Sequence, residues 1–341
     1  MRFADNRNKI GKYIPAVVFL IFIYGMALWF IFSPKPDYSS SEKRYLQKFP
    51  EVTAEKLLSG DFGSEFETFF ADRFPQRNTW VGLNAYTALA VGNNGASGVY
   101  NCKNGYLINK PVSTENNLDK NIGAVADFAK SIDTPTTVML VPSTGYIVDD
   151  VLPTFHDKYN DDEDISKISS TLSKDKIGFV DLRERFKSEY KNGSQLYYKT
   201  DHHWTTKGAY TGYQELCKAL GITPIDDSTL KKDSYPDFYG TTYSSSGFWL
   251  TPPDNIEIWN NPKNSDRNIS VRITEGANIK TSGSMYFTDH LKEDDKYPVF
   301  IDGNHALTEI TNTNAKNGTI LLIKDSFSHS LAPFLAENYS R

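Results

Sequence analysis

Residues Lys199 to Tyr210 read KTDHHWTTKGAY, so one carboxylate, two imidazoles and an indole stand in consecutive positions. An extended segment ahead of a helix starting at Thr206 sends alternate side chains to one side, pairing Asp201 with His203 and turning His202 away. A carboxylate accepting from one imidazole nitrogen fixes the tautomer and stabilises the imidazolium formed when the other nitrogen takes a proton. Such a pair is a general base, and it requires a nucleophile.

The segment TILLIKDSFSHS supplies one. Its apolar run, Thr319 to Ile323, reads as a buried strand delivering Asp325 and Ser326 to its C-terminal end, the edge where open α/β sheets hold their active sites. Ser326 is the candidate nucleophile, beside helix N-terminal N–H groups able to receive an oxyanion. Ser328 and His329 are its neighbouring rivals. A third piece is FIDGNH, in which a strand from Val299 to Ile301 ends at Gly303, allowing close backbone approach, and Asn304, whose amide can donate to a carbonyl oxygen.

Each piece has a structural alternative. Asp201 is also a suitable helix-capping carboxylate, the histidines are suitable satisfied polar groups, and Trp204 reads as packing. Asp325, Ser326 or Ser328 suits a helix cap, and FIDGNH suits a plain turn. Asp-His-His also occurs at dimetal phosphoesterase centres, but these need further carboxylates on strand ends. The acidic run Asp161 to Asp164 sits instead in a polar helix start, so no metal site is expected.

The elements that must position these groups follow an α/β pattern. The pair Asn104-Gly105 marks a tight hairpin turn inside SGVYNCKNGYLINKP. Helices are expected near Leu118–Lys130, Glu163–Ser173 and Arg183–Tyr190, alternating with the strands TTVMLVP and IGFVDL. Ala209, Tyr210, Tyr213, Leu216, Cys217 and Leu220 form a helical stripe that stops at Gly221. An irregular aromatic segment, Tyr235 to Trp259, suits sugar-ring contacts or core packing equally. Strands resume at GSMYF, YPVFID and TILLI, and a short helix ends the chain. The expected architecture is a mostly parallel sheet flanked by helices, truncated before a further strand.

The chain has 341 residues with 39% apolar content, enough for a full core, and a net charge of −5 with no basic run, which excludes an electrostatic footprint for nucleic acid. An uncharged run from Ile14 to Phe32 spans roughly 28 Å as a helix, matching a bilayer core. It exceeds a signal-peptide core and no small-x-small cleavage site follows. Arg2, Arg7, Lys9 and Lys12 precede it, so the positive-inside rule places residues 1–13 in the cytoplasm. The expected organisation is a cytoplasmic 1–13, a single-pass anchor 14–32, a polar stalk 33–44 and an extracellular α/β domain 45–341.

Phe62, Phe66, Phe69, Phe70 and Phe74 fall at helical spacings, as in a helix packed on the main domain. Cys102 and Cys217 fit one disulfide or two buried thiols. Asn192, Asn268, Asn317 and Asn338 stand in glycosylation-acceptor patterns.

Taken together, Asp201-His202-His203-Trp204, the DSF of Asp325 to Phe327 and the GN of Gly303-Asn304 resemble the DHHW protein family. That family is similar to the alginate O-acetylation enzymes with a permuted SGNH-hydrolase-like domain. The likeness extends to SEKRYLQKFP, DRFPQR and GVYNCKNGYLI, while Thr144 departs from an expected lysine. The resemblance implies Asp201 as orienting acid, His203 as general base, Ser326 as acyl-accepting nucleophile and Asn304, with Gly303, as oxyanion or substrate contact. It implies O-acetylation of a cell-envelope polysaccharide without a cofactor, the acyl group coming from a membrane-bound O-acyltransferase partner. A polysaccharide O-acetylesterase and a non-catalytic polysaccharide-binding or assembly protein are the alternatives.

Overall fold

A computed structural model describes residues 2–112 and 117–341. Met1 and the side chains of residues 2–12 lie outside that description, and with them the four cationic groups that set the expected orientation. The chain divides into two compact units, Met1–Asn84 and Ala85–Arg341.

In the first unit, α1 (Arg2–Phe32) contains a 20-residue window, Tyr13–Phe32, that is apolar and long enough to cross a membrane. Its C-terminus closes on Ser33, whose N–H and hydroxyl both bond to the Trp29 carbonyl. The strands β1 (Tyr38–Ser39) and β2 (Arg44–Tyr45) form a small antiparallel ribbon. The helices α2 (Ala54–Ser59) and α3 (Asp61–Asp72) follow, separated by Gly60 in the left-handed region at φ 87°. Asp72 is buried and accepts from both Arg44 terminal nitrogens, at 3.0 and 2.6 Å, and from the Gln47 N–H at 2.9 Å. The unit boundary falls within α4 (Arg77–Ala90).

The second unit begins with the three-stranded sheet β3 (Gly95–Ala96), β4 (Val99–Asn101) and β5 (Leu107–Asn109). Asn104 and Gly105 turn β4 into β5 at φ 57° and 77°, the left-handed pair that a tight hairpin demands. Next come α5 (Leu118–Ser131), β6 (Thr137–Leu140), α6 (Thr144–Ile147), α7 (Asp161–Lys174), β7 (Gly178–Asp181), α8 (Arg183–Lys191) and α9 (Thr206–Leu220). The central helix α9 is capped by the Thr205 hydroxyl, which accepts from the Gly208 N–H at 3.1 Å. It ends at Gly221, φ 66°, as the apolar stripe predicts.

The rest is antiparallel. The strands β8 (Lys231–Phe238) and β9 (Asp254–Asn260) pair around α10 (Thr241–Ser246), and β10 (Ile269–Glu275) lies between β11 (Asn278–Ser282) and β12 (Leu307–Asn312). A short α11 (Ala332–Leu335) precedes the terminus. The fold is therefore mixed α/β. Parallel strand pairing is confined, among the described residues, to β6 with β7, apart from one isolated bridge between Asn317 and Tyr339.

Three expected strands do not form: GSMYF and YPVFID exchange two backbone bonds, Phe287 N–H to the Val299 carbonyl and Ile301 N–H to the Met285 carbonyl, without extending them into a ladder. Residues 319–323 form no strand, and Leu321 and Ile323 are exposed. GSMYF makes a single bridge, Tyr286 with Phe300, and YPVFID is a 3-10 turn at Tyr297–Val299 followed by left-handed residues. Conversely, β8 and β9 overlap the two ends of the stretch expected to be irregular, and β8 keeps its charges in water and buries Phe238.

One core cluster gathers Trp204, Phe186, Tyr197, Tyr213 and Phe334, and a second fills the space around β9 and β10 with Ile256, Ile258, Val271 and Phe300. Phe238, Phe248 and Trp259 are buried, so these aromatics serve the core rather than a sugar face. Cys102 and Cys217 are buried free thiols, and burial pushes them up to about 12 and about 11 respectively. The Asn338 carboxamide accepts from the Tyr213 hydroxyl and donates to the Thr223 carbonyl.

Candidate active site

The expected site residues all lie in the second unit. The segment carrying Asp201 and His203 follows α8 and is braced by Asp254 on β9. That buried carboxylate accepts from the Lys199 N–H at 3.0 Å, and from the Thr200 N–H and hydroxyl at 2.7 Å each. Gln195 adds a fourth donor at 3.1 Å. Residues 201–203 then bend instead of continuing as a strand. The bend is held by Asp201 Oδ1, which accepts the His203 N–H at 2.8 Å, a side-chain-to-backbone turn that aspartate favours.

The bend still brings Asp201 and His203 together. His203 Nδ1 lies 2.5 Å from Asp201 Oδ1, and His203 Nε2 lies 2.8 Å from Ser326 Oγ, across 123 positions of sequence. Asp201 and His203 are buried, at 2% and 4% exposure, whereas Ser326 is half-buried and reachable. Asp201 Oδ2 accepts from the Thr241 N–H at 2.7 Å and faces the Thr241 hydroxyl at 3.2 Å. Burial alone would push the Asp201 carboxyl up. The His203 hydrogen bond, the charges of His203 and His202, and the Thr241 N–H outweigh it and hold the group well below the usual carboxylate range. A carboxylate so held orients the Nδ1–H tautomer and leaves Nε2 free to accept the serine proton.

Alternation predicts that His202 turns away from this pair, but the bend keeps it beside them, its Nδ1 3.8 Å from Asp201 Oδ1. Its ring tilts over His203 at 3.8 Å, its Nδ1 meets the Thr241 hydroxyl at 2.5 Å, and burial lowers its pKa. Asp201, His202 and His203 place one ligand-type atom each within 4.8 Å of one another. Both Asp201 oxygens, His202 Nδ1 and both His203 nitrogens already face protein partners, so a cation here would have to break this network.

Ser326 opens a 3-10 turn, Ser326–His329, capped by the Asp325 side chain accepting from the Phe327 N–H at 3.0 Å. That N–H is therefore committed to the cap and is not free for an oxyanion. Trp204, expected only to pack, also fastens this turn, because its indole N–H donates to the Phe327 carbonyl at 2.8 Å and meets Ser330 Oγ at 2.9 Å.

Gly303 and Asn304 come off a turn in which Ile301, Asp302 and Gly303 all take positive φ, 49°, 65° and 85°. A β-branched residue there costs roughly 1–2 kcal/mol. The turn is pinned through Asp302, whose carboxylate meets Lys280 Nζ at 2.7 Å and His290 Nε2 at 2.8 Å. Asn304 is exposed, and its Oδ1 faces the buried His329 Nε2 at 3.0 Å. His329 Nδ1 is buried without a partner among the described residues.

Sequence spacing missed Thr241, Gly240, Tyr297 and Asp254. Thr241 and Asp254 carry no motif, and they become part of the site only because β8 and β9 fold back on the Asp201 bend. Tyr297 lies in a stretch that reads as a strand, yet its buried ring stacks on His203.

The family model described as DHHW protein matches residues 106–341, a span that includes every residue of this site. A solved DHHW family protein from Eubacterium siraeum superposes with a TM-score of 0.57 at 19% identity, covering 72% of this chain and 81% of its own. Bacillus cereus PatB1, solved with a sulfonyl adduct, gives a TM-score of 0.57 at 19% identity, covering 71% of this chain and 82% of its own. A looser likeness, at a TM-score of 0.41 and 16% identity, joins 50% of this chain to 67% of the O-acetyltransferase domain of Pseudomonas putida AlgJ. No curated protein sequence matches the chain significantly. The first two likenesses establish a shared fold.

Proposed function

This chain belongs to the DHHW protein family, and on that premise we propose that it is a membrane-anchored extracytoplasmic O-acetyltransferase acting on a cell-envelope polysaccharide. The observation that carries the proposal is the 2.8 Å approach of His203 Nε2 to Ser326 Oγ, with Asp201 on the opposite ring nitrogen. Ser326 Oγ attacks the carbonyl carbon of a donor ester while His203 Nε2 takes its proton. The tetrahedral intermediate, its oxyanion received by the Asn304 NH2 group, collapses to an acetyl-serine as His203 returns the proton to the leaving group. A sugar hydroxyl then attacks the acetyl carbon, passing its proton to His203, and Ser326 leaves as that proton returns.

The Tyr13–Phe32 helix supports the anchor. An extracytoplasmic site is cut off from cytoplasmic acyl donors, so a membrane-bound O-acyltransferase partner would supply the acetyl group.

The full chain, incubated with 4-nitrophenyl acetate with and without a chito-oligosaccharide acceptor, tests the reading. An intact-mass increase of one acetyl group on Ser326 and acetylated sugar are expected. Free acetate alone would assign an esterase, and glycan binding without an acyl-enzyme would assign a binding protein. Methanesulfonyl fluoride should sulfonylate Ser326, as a sulfonyl adduct is formed in PatB1. Ser326→Ala, His203→Ala and Asp201→Asn should each abolish acylation; a variant that acylates at the wild-type rate removes that residue from the mechanism.

A further inference from the structure

The first unit exposes an apolar face with an unusual location. Leu57 and Leu58 on α2 are 55% and 90% exposed, Phe66 and Phe70 on α3 are 40% and 41% exposed, and Phe49 and Val52 ahead of them are 57% and 66% exposed. The rings form one continuous surface. Phe49 contacts Phe62, Phe66 and Phe69 at centroid distances of 6.5, 6.0 and 5.4 Å, and Phe62 stacks on Phe66 at 6.1 Å. Soluble surfaces rarely carry a contiguous apolar patch of this kind unless something covers it.

What covers it is indicated by where the surface leads. Phe30, in the last turn of α1, touches Phe70 at 4.6 Å and Phe69 at 6.3 Å. At a rise of about 1.5 Å per residue, Phe30 sits roughly 3 Å short of the helix end at Phe32, level with the boundary between hydrocarbon and headgroups. Rings in contact with Phe30 share that depth. Just beyond, Lys35 Nζ folds back over the Phe30 ring at 4.0 Å and donates to the Phe30 carbonyl, closing the end of α1 with a cation. Exposed Tyr38 and Tyr45, paired edge-on at 5.3 Å, complete the aromatic set that membrane interfaces favour. Polar groups of α2 and α3 are paired with one another: Lys56 holds Glu65 at 2.9 Å and Ser59 bonds Asp61 at 2.8 Å.

We propose that the face formed by Phe49, α2 and α3 is a lipid-contacting platform, lying in the headgroup region of the same bilayer that α1 crosses. Its occupant is phospholipid, held by apolar burial rather than by charge, since α3 carries acidic residues and no basic ones. The inference rests on α1 being a membrane anchor.

The test uses the full chain in nanodiscs of mixed phosphatidylcholine and phosphatidylglycerol, with a nitroxide label at Leu58→Cys, Phe66→Cys, Ile21→Cys in the span, or Lys263→Cys as an aqueous reference. Wild type provides the background from the buried Cys102 and Cys217. Collision with oxygen reports lipid exposure, and collision with a nickel chelate reports water. Labels at 58 and 66 are expected to be oxygen-accessible and several-fold less nickel-accessible than the label at 263. If the label at 21 is lipid-exposed while those at 58 and 66 behave like 263, the platform is wrong and the anchor stands. Labels at 58 and 66 shielded from both reagents would mean that a protein partner or a second copy covers the face, which also overturns it. A label at 21 that is not lipid-exposed removes the anchor and the platform together.

Discussion

The imidazole of His203 lies flat on the phenol ring of Tyr297, with centroids 3.9 Å apart and planes within 10° of parallel. The buried Tyr297 hydroxyl also reaches the Ser326 carbonyl at 3.2 Å, so one side chain braces both the proposed base and the backbone of the proposed nucleophile. Tyr297→Phe keeps the stack and should retain most acetyl-ester turnover. Tyr297→Leu removes the ring, and since aromatic pairs contribute roughly 0.5–1.5 kcal/mol, kcat should fall by about two- to tenfold. Equal losses in the two variants would argue against the stack as the positioning element.

Gly240 has no room for a side chain. A β-carbon there would stand 2.1 Å from the Asp201 β-carbon and 2.4 Å from its Oδ2. The Gly240 backbone, φ −92° and ψ −169°, suits any residue, so the constraint is the neighbour and not the torsion. Gly240→Ala should cost about 1–3 kcal/mol of stability as overpacking does, and it should displace Asp201. The denaturant midpoint and the rate of Ser326 acylation should both fall. A folded Gly240→Ala variant that acylates normally would show that Asp201 tolerates displacement.

Burial, helped by the charges of Lys324, His203 and His305, pushes the His329 imidazole down to about 3. In the unfolded chain it titrates near the ordinary value of about 6.5. Between these values the unfolded state binds the extra proton, so stability rises with pH across that window and is lost as pH falls from about 6.5 towards 3. His329→Asn keeps a donor that could face Asn304 Oδ1 and removes the titration. Urea midpoints measured between pH 7 and pH 4 should therefore decline less steeply in the variant. Identical slopes would assign the acid sensitivity to other groups.

Asp254 satisfies donors on Gln195, Lys199 and Thr200, two of them backbone N–H groups, without touching the proposed reacting atoms. Asp254→Ala leaves buried donors unpaired, at about 1–3 kcal/mol for each group fully orphaned. A lower urea midpoint together with reduced kcat is expected, with Asp254→Asn recovering part of both. Lost stability with unchanged kcat would make Asp254 purely structural.

The site was legible in sequence to the extent that local chemistry carries it. The alternation that pairs Asp201 with His203 survives the replacement of a strand by an aspartate-held bend, because both geometries bring positions i and i+2 together. Ser326 stands at the entry to a helical turn, but residues 319–323 ahead of it form no strand. The apolar pattern of residues 319–323 specifies only that some side chains seek the core, and no neighbouring strand takes the backbone.

By itself the sequence determined the apolar helix of residues 14–32, the boundaries of α9, the Asn104-Gly105 turn and the residue types that can carry acyl transfer. Each depends on contacts within a few positions along the chain. Tertiary structure alone decided that His203 meets Ser326 across 123 positions, that Trp204 ties down the serine turn, and that Thr241, Asp254 and Tyr297 belong to the site. These contacts depend on which strands pair and where β8 and β9 return. Pairing is a contest between distant segments for the same hydrogen bonds and the same buried volume, and no local pattern records its outcome.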